Sequence, residues 1–345
     1  MLTAPTERVT FESLAEDWRA LAESADRSIF ATPEWLEAWW QAFGRDRELL
    51  LRAGRDANGR LTSVLPLYVW RARRPRVIRF LGHGPGDELG PVFRPGEHDT
   101  AAGELRRALD ALEWDVFLGE QLSGEDDWTG MLGGQRWRRE ANPVLRVTPG
   151  GWEEYLGRRS ANFRQQLRRH ERALWRSGRV RYRLADEQSL DGDLSALFVL
   201  HRARWGGGTT DFDDTPFHRD VARRALERGW LRLWSLDLDD RIVAVWLGFQ
   251  VGRATSYYQA GRDPALDRLA VGTVLLAHSI REAMAERTLQ YRFGRGAEPF
   301  KYRFTDVDPG LDSVMLARTA VGRAGVALAH AARTTRRLAT SRRRG

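Results

Sequence analysis

Three consecutive strand-forming segments in the last third of the chain constrain its fold more than any other feature. Residues 231–238 (LRLWSLDL) and 241–250 (RIVAVWLGFQ) are rich in β-branched, leucine and aromatic residues. The two-residue turn Asp239-Asp240 between them predicts a hairpin. Residues 254–260 (ATSYYQA) predict a third strand that continues the meander. The chain is therefore expected to build an antiparallel sheet in this region.

A helix and further strands follow the meander. Residues 272–286 predict a helix, residues 289–293 (LQYRF) a strand parallel to an earlier one, and residues 313–317 (SVMLA) a last strand. A meander joined through a crossover helix to a parallel strand differs from the regular strand–helix alternation of a Rossmann repeat. The expected fold class is α+β, with a mixed, mostly antiparallel sheet flanked by helices.

The N-terminal part of the chain predicts a further domain with a helix and strands of its own. Thr32 and Pro33 form a favourable helix start. Aromatic residues then follow at helical spacing and are expected to face a core: Trp35, Trp39, Trp40 and Phe43. Asn58-Gly59 lies between two apolar segments and predicts a hairpin. A strand over 77–82 leads into a glycine- and proline-rich loop, 82–91, that either lines a cleft or only connects two elements.

The sequence Pro149-Gly150-Gly151 marks a domain boundary between a strand-like segment and a new helix. It divides the chain into an N-terminal domain, 1–147, and a C-terminal domain, 148–317. Residues 318–345 contain eight arginines and no acidic residue. Because the net charge of the whole chain is +8, the two domains together are formally neutral. The excess charge therefore belongs to a C-terminal tail, amphipathic or disordered.

The composition excludes several classes of protein. There is no cysteine, which excludes disulfides, thiol nucleophiles and cysteine metal sites. None of the seven histidines pairs with another at metal-ligand spacing, so no metal is expected, and His201 and His278 are expected to be structural. No apolar run approaches the eighteen residues of a membrane span, and the first residues lack a signal-peptide pattern. The expected compartment is the cytoplasm.

One lysine stands among 54 arginines, at Lys301. So strong a preference for arginine indicates that most surface cations are interchangeable, whereas a position that keeps lysine favours a compact ammonium with rotatable donors. Chance is the alternative explanation, since a single lysine must fall somewhere. The aromatic residues around it, Phe300, Tyr302 and Phe304, favour a specific role.

A second cluster of cations lies at the start of the C-terminal domain. Residues 160–176 predict a helix with Phe163, Leu167 and Leu174 on one face. Seven arginines and one acidic residue occupy 158–176. A solvated basic face explains this pattern, and a docking surface for the phosphates of a substrate or of an RNA end is the alternative.

Two segments of the C-terminal domain resemble a known family. Residues 258–284 (YQAGRDPALDRLAVGTVLLAHSIREAM) and 290–304 (QYRFGRGAEPFKYRF) resemble the CelD-like branch of the GNAT acetyltransferase superfamily. That branch is related to the FemABX-type aminoacyl transferases, which carry two GNAT-like domains in tandem. Weaker matches at 30–40, 162–174 and 200–205 extend the resemblance over most of the chain. It implies two tandem GNAT-like domains, with acetyl-CoA or another acyl-CoA as co-substrate.

The resemblance also implies where the acyl carrier binds. In such folds the carrier lies between two strands that part, here 254–260 and 289–293, and its pyrophosphate meets a loop at a helix N-terminus. The implied carrier-binding residues are Arg268, Val271, Gly272, Thr273, Phe293 and Phe300. The loop reads RLAVGT, with Gly272 at the family's glycine position. Arg292 stands where the family commonly has an acidic residue.

Four residues are candidates for the chemistry. Lys301 matches the family's lysine, and its ammonium is expected to neutralise a phosphate or to stabilise a tetrahedral oxyanion. Transfer to an amine also needs a proton acceptor. Glu298, Asp263 and Tyr258 are the candidates, with Tyr257 on the opposite face of the same strand as an alternative.

These observations lead to three hypotheses for function. The first is a GNAT-type N-acyltransferase that moves an acyl group, most simply acetyl, from acyl-CoA to an amine on a cell-envelope or polysaccharide precursor. The second is FemABX-like aminoacyl transfer from charged tRNA. The third is a catalytically inactive GNAT fold that binds a partner. The tail is expected to lie on an anionic membrane surface or on nucleic acid, or to act as a solubilising appendage.

Overall fold

The computed structural model describes residues 7–70, 74–205 and 212–341, which form fourteen strands and ten α-helices. The strands are β1 Glu7–Arg8, β2 Arg47–Arg55, β3 Leu61–Trp70, β4 Val77–Phe80, β5 Val92–Phe93, β6 Val116–Ser123, β7 Gln135–Glu140, β8 Val144–Arg146, β9 Val180–Leu184, β10 Leu231–Leu238, β11 Arg241–Val251, β12 Ala254–Arg262, β13 Gln290–Arg292 and β14 Leu311–Ala317. The helices are α1 Phe11–Ser24, α2 Pro33–Phe43, α3 His98–Asp110, α4 Trp128–Leu132, α5 Gly151–Arg158, α6 Ala161–Ser177, α7 Leu190–Trp205, α8 Pro216–Glu227, α9 Val271–Ala285 and α10 Ala320–Ser341. Three 3₁₀ turns cover Ile29–Ala31, Pro264–Leu269 and Lys301–Arg303.

The predicted meander forms the centre of a six-stranded sheet with the order β8-β13-β12-β11-β10-β9. Its hairpin turns through Asp239 and Asp240, and both residues take positive φ, the geometry that matches the twist of the flanking strands. The chain then crosses through α9 and returns as β13, parallel to β12. The strand, helix and crossover predictions for this region are confirmed.

The first sheet repeats the same arrangement. Its order is β1-β2-β3-β4-β6-β14-β7, with β5 paired to β3. Strands β2, β3 and β4 form a meander, α3 follows β4, and β6 then pairs parallel to β4. The hairpin predicted at Asn58-Gly59 joins β2 to β3. Two units of one topology therefore follow each other along the chain.

The strand pairing differs from the sequence interpretation at the two ends of the C-terminal domain. Strand β14 pairs antiparallel with β6 and β7 of the first sheet, although residues 313–317 were expected to close the second domain. Conversely, β8 pairs with β13 of the second sheet. Local sequence indicates that a segment is a strand but not which edge it joins. Val314 is fully buried among the side chains of the first sheet.

One hydrophobic cluster joins the two units. It contains buried residues of α1, α2 and β3 together with residues of α7, α8 and β10–β12. Trp35 lies at its centre and makes edge-to-face contacts with Phe30, Phe217 and Tyr258 at centroid distances of 4.7, 5.2 and 5.4 Å. Trp39 is buried as well and Trp40 packs partly buried against the cluster, so the core role predicted for the tryptophans is confirmed. Phe43, at the end of α2, is instead 41% exposed, because the last turn of the helix extends beyond the core.

The last helix, α10, leaves much of its apolar side in solvent. Val321 and Leu328 are 52% and 72% exposed, and they lie two turns apart on one face with the exposed Ala324. The arginine side chains at 333, 336, 337 and 342–344 lie outside the described side chains. Within the described residues, no helix is both long enough and apolar enough to cross a bilayer.

Because β14 belongs to the first sheet, two truncations of the C-terminus should have different effects on stability. A chain ending at residue 310 loses Leu311, Val314 and Met315 from the first sheet. Each such side chain contributes roughly 1.5–3 kcal/mol, so the loss is comparable with the whole stability of a domain. A chain ending at residue 319 keeps β14 and the hydrogen bond from Arg318 N to Asp115 O. We expect the longer chain to unfold cooperatively near the wild-type temperature in calorimetry, and the shorter one to show no cooperative transition for the first domain. Similar melting of the two would contradict the assignment.

Candidate acyl-transfer site

The two parallel strands of the second sheet, β12 and β13, part after three paired residues. Ala254, Thr255 and Ser256 pair with β13, and β12 then continues to Arg262 hydrogen-bonded only to β11. A cavity of about 270 Å³ lies at this point, between β12 and the first turns of α9. The strands at 254–260 and 289–293 therefore part, and the cavity lies along β12, α9 and Phe300, without a lining residue from 289–293.

This first cavity is apolar along its walls and basic at one end. Its walls comprise Val245, Trp246, Tyr257, Ala260, Leu275, Leu276 and Phe300. Gly272 and Thr273, in the first turn of α9, line it together with Arg204 and Arg262. Ala270 takes a left-handed conformation before the helix and offers no side-chain cap. The first amide groups of α9 thus lie beside the cavity, where an anion is favoured.

Two arginines, Arg204 and Arg262, line the basic end of this cavity. Burial lowers the pKa of Arg262, and the neighbouring Arg204 charge lowers it further. Arg262 also forms an ion pair with Asp267. A bound anion would offset the Arg204 charge and favour the charged form of Arg262.

The carrier residues implied by the sequence divide into two groups. Gly272, Thr273 and Phe300 line the first cavity. Val271 is fully buried in the hydrophobic core instead, and Arg268 lies exposed on the 3₁₀ turn away from the cavity. Phe293 lines a second cavity. Helix geometry explains the outcome, since successive residues of one turn face different directions.

The second cavity, of about 280 Å³, is polar and receives residues from both domains. Gly84, Pro85 and Asp87 come from the glycine-rich loop 82–91, which therefore lines a cleft. The second domain contributes His201, Tyr258, Gln259, Arg295, Glu298 and Lys301. Arg204, Tyr257 and Phe300 line both cavities, so these three residues form the wall that the cavities share.

Tyr257 occupies the junction directly after the last paired residue of β12. Its ring contacts Trp246 and Phe300 at centroid distances of 6.0 and 6.3 Å. Burial raises the pKa of Tyr257 to about 12, so its hydroxyl stays protonated at neutral pH. The residue can therefore donate a hydrogen bond to a group that becomes negative at the junction.

Lys301 has a different role from the one expected. Its Nζ lies 3.0, 2.8 and 3.2 Å from the carbonyl oxygens of Gly294, Arg295 and Gly296, and 2.8 Å from Glu298 Oε2. Four acceptors thus surround an ammonium that has three protons. Burial lowers the pKa of Lys301, and the Glu298 carboxylate opposes that shift. The ammonium organises the loop at 294–296 and is not directed at a free phosphate or oxyanion.

The acidic candidates also differ from each other. Glu298 lines the second cavity and is 44% exposed, with one carboxylate oxygen paired to Lys301. Asp263 lines neither cavity. Its side chain accepts a hydrogen bond from Ala265 N at 2.9 Å and pairs with Arg241 at 2.8 Å. Asp263 is therefore a cap for the 3₁₀ turn, because an aspartate two residues before a free amide readily closes such a turn.

Arg292 connects the two domains. Its guanidinium donates to Asp26 O at 2.9 Å and to Gln290 Oε1, and it lies 3.5 Å from Glu88. The next cation, Arg295, pairs with Asp87 of the first domain at 3.2 Å. An arginine at the position where the resembled family has an acidic residue thus serves the domain interface.

The sequence did not identify several residues of the site. Arg204 and Asp87 lie far from β12 in sequence, and His201 was expected to be structural although it lines the second cavity. Only strand pairing and domain contact bring them together. Among the described residues, no cluster of histidine, aspartate or glutamate has the arrangement of a metal site.

Comparisons with known proteins agree with this geometry. Residues 161–302 match the model of an acetyltransferase (GNAT) domain. The crystal structure of FemX superposes with a TM-score of 0.66 at 11% identity, covering 91% of this chain and 98% of that one. The C-terminal domain of a putative lysylphosphatidylglycerol synthetase from Agrobacterium fabrum gives 0.60 at 9% identity, with coverages of 92% and 96%.

A tandem GNAT protein from the clavulanic acid biosynthesis pathway gives a TM-score of 0.50 at 9% identity and covers 91% of this chain and 97% of that one. No curated protein matches the sequence. At these identities the similarity establishes the fold. The protein has an α+β architecture of two GNAT-like domains in tandem, each a mixed sheet flanked by helices, and its C-terminal domain has a GNAT-type acyltransferase fold.

The four acceptors around the Lys301 ammonium predict that substitution of this lysine destabilises the protein. Lys301→Met leaves three inward carbonyl groups without their donor and should destabilise the protein by about 2–4 kcal/mol, measured by urea unfolding. Hydrogen exchange at residues 294–296 should accelerate. Glu298→Gln is the matched control, since it removes the ion pair but keeps the ammonium, and its effect should be smaller. A Lys301→Met protein with wild-type stability and exchange would show that the ammonium is free for another role.

Proposed function

We propose that the protein is an N-acyltransferase that takes an acyl group from acyl-CoA in the first cavity and passes it to an amine in the second. The observation that carries this proposal is the meeting of an apolar, basic-ended cavity with a polar one at the point where β12 and β13 part. One cavity suits a donor and the other an acceptor. Their common wall is where the two reactants would meet.

The first cavity has the chemistry that an acyl-CoA needs. A carrier of this kind combines a long, weakly polar arm with a pyrophosphate. The walls formed by Trp246, Tyr257 and Leu276 suit the arm. The first turn of α9, together with Arg262 and Arg204, suits the pyrophosphate.

The reaction itself requires a new C–N bond, cleavage of the C–S bond, and removal of one proton from the amine. Negative charge develops first on the carbonyl oxygen and then on the leaving sulfur. Tyr257 is the protonated group at the junction, and a hydrogen bond from its hydroxyl would stabilise that charge in a site shielded from water. The polar lining of the second cavity, which includes Tyr258, Gln259 and Glu298, suits a polar acceptor such as an amine. The assignment of that amine to a cell-envelope or polysaccharide precursor rests on the family resemblance.

The donor site has a direct test. Ala260 lies on β12 and lines the first cavity. Ala260→Trp would fill the space intended for the carrier arm, and we expect the Kd for acetyl-CoA to rise at least tenfold in isothermal calorimetry. Ala265→Trp is the control, because Ala265 is exposed on the neighbouring 3₁₀ turn. Equal affinities in wild type and Ala260→Trp, with an unchanged melting temperature, would locate acetyl-CoA elsewhere.

Aminoacyl transfer from charged tRNA is the second candidate, and the outer face of α6 favours it. Gln165, Arg168, Arg169, Arg172, Trp175 and Arg176 are all exposed and follow helical spacing along one stripe. Helix α6 packs beside the 3₁₀ turn that precedes α9, so the stripe lies next to the donor end of the site. Binding of tRNA with a steep salt dependence, in the absence of any acetyl-CoA binding, would favour this candidate. Binding of neither would favour the inactive binding module.

The tail carries a separate proposal, contact with an anionic membrane surface. It is supported by the exposed apolar face of α10, which includes Val321 and Leu328, and by the arginines of 318–345. The full chain should co-sediment with vesicles that contain 30% phosphatidylglycerol, and 150–300 mM salt should weaken the binding. The chain that ends at residue 319 should stay in solution. Equal sedimentation of both chains would exclude the tail as the contact.

A further inference from the structure

We propose that Tyr258 and His218 form a proton relay that removes the proton of the acceptor amine. This inference rests on the proposed acyl transfer and identifies its base. Neither residue acts alone in this scheme. Tyr258 lines the acceptor cavity, and His218, from the first turn of α8, lies behind it without lining either cavity.

The hydrogen bonds of His218 determine which ring nitrogen carries its proton. Nδ1 lies 2.8 Å from the carbonyl oxygen of Asp213 and 2.9 Å from Thr215 Oγ1. A carbonyl oxygen can only accept, so Nδ1 must be the protonated nitrogen. Nε2 lies 3.2 Å from Tyr258 Oη and, in a neutral ring, can only accept. The hydroxyl proton of Tyr258 is thus directed to His218, and a hydroxyl oxygen that donates in this way can also accept a proton.

The backbone of β12 places Tyr258 at this position. The pairing with β11 shifts between Leu247 and Gly248, so that Gln259 and Tyr257 have partners and Tyr258 is the extra residue of a bulge. A bulge redirects the side chain that it carries. As a result Tyr258 packs into the shared aromatic cluster, and it also lines the acceptor cavity. The neighbouring residue, Tyr257, lies in the wall that the two cavities share.

The surroundings of His218 keep its imidazole neutral in the resting state. Burial lowers its pKa to about 4, while the Asp213 carbonyl and the Asp213 and Asp214 carboxylates oppose the shift. The other elements packed against the ring contribute aromatic groups: Phe198 from α7, Phe212 from the preceding loop and Tyr258 from β12. A neutral histidine has a free lone pair throughout the neutral pH range, as a base requires. Protonation of His218 would therefore reduce the rate near pH 4 and not near pH 6.5.

In this scheme the amine proton reaches His218 in two coupled movements while a C–N bond replaces the C–S bond. The amine nitrogen attacks the acyl carbon and becomes positively charged in the tetrahedral intermediate. One N–H proton moves to Tyr258 Oη while the tyrosine's own proton moves to His218 Nε2. The C–S bond then breaks, its electron pair leaves with the sulfur as a thiolate, and the thiolate takes a proton from solvent. His218 is left as an imidazolium beside Asp213 and Asp214, and it returns its proton to solvent through Tyr258 once the products have left.

Other bases of the acceptor cavity are less suited to this step. Glu298 is paired with Lys301, and Asp87 accepts from Arg295 N at 3.0 Å and pairs with its side chain. Both carboxylates therefore already neutralise a cation. His201 is buried and hydrogen-bonded to Gln259, whose amide side chain does not take up a proton.

The test combines two substitutions with a matched control. Tyr258→Phe keeps the ring in the aromatic cluster and removes the hydroxyl. His218→Gln keeps an acceptor for the tyrosine proton but cannot take it up. Tyr68→Phe is the control, because Tyr68 forms a similar buried pair with His83 (Oη to Nδ1, 3.2 Å) and lines neither cavity. Thiol release from acetyl-CoA is measured with water, glucosamine and Nα-acetyllysine as acceptors. The protein has no cysteine and gives no background.

We expect Tyr258→Phe and His218→Gln each to lower kcat about 100-fold, with KM for acetyl-CoA within twofold of wild type. The double variant should be no slower than either single one, because residues of one relay act as a unit. Tyr68→Phe should leave kcat unchanged. Wild-type kcat in Tyr258→Phe, or multiplicative losses in the double variant, would overturn the relay.

A measurement without turnover separates this inference from the proposed function. Nitrogen-15 NMR of labelled histidine should show His218 as the Nδ1-protonated tautomer, neutral down to about pH 4, with its Nε2 resonance displaced in Tyr258→Phe. An Nε2-protonated ring, or titration near pH 6.5, would contradict the relay even if acetyl-CoA binds. Failure of acetyl-CoA to bind the wild type would contradict the donor proposal instead, and with it the relay that rests on it.

Discussion

The site depends on one backbone constraint, the short pairing between β12 and β13. These strands share only three paired residues, and β12 then continues for six more without a partner on that side. A sheet that parts in this way must fill the gap with something other than a strand. Here the first turns of α9 and the segment around Phe300 border the gap, which leaves the first cavity between them. The position of the helix N-terminus beside that cavity follows directly from the crossover that connects the two parallel strands.

The first domain contributes residues to the site as well as packing against the second domain. Its loop 82–91 forms one side of the second cavity, and Asp87 forms an ion pair with Arg295 there. Trp35 of α2 packs against Tyr258, so the position of the proposed base depends on a core that both domains share. Arg292 adds a polar connection through Asp26 and Glu88. A change in the relative position of the domains would alter the second cavity, which both domains line, and would leave the first cavity largely intact.

Lys301 was expected from the sequence to contact a phosphate or an oxyanion, and its ammonium instead contacts three backbone carbonyl groups. Its uniqueness among 54 arginines indicated that a compact ammonium was needed, and the structure provides a reason. Three carbonyl groups converge within 3.2 Å on Nζ, a geometry that a single small ammonium satisfies and a planar guanidinium does not. Gly294 and Gly296 take positive φ in the same loop, which allows its carbonyls to turn inward. The lysine therefore holds the loop at 294–296, which lines the second cavity.

The sequence by itself determined the elements and their order. The hairpin at Asp239-Asp240, the crossover helix α9 and the parallel strand β13 follow from local periodicity and turn chemistry, which depend on neighbours in the chain. Tertiary structure alone decided that β14 joins the first sheet, that Asp263 caps a turn, and that His218 lies behind Tyr258. Strand partners, buried hydrogen bonds and the effect of a bulge on one side chain arise between segments that are distant in sequence. Local propensity contains no information about such contacts, because their energy comes from groups that meet only after folding.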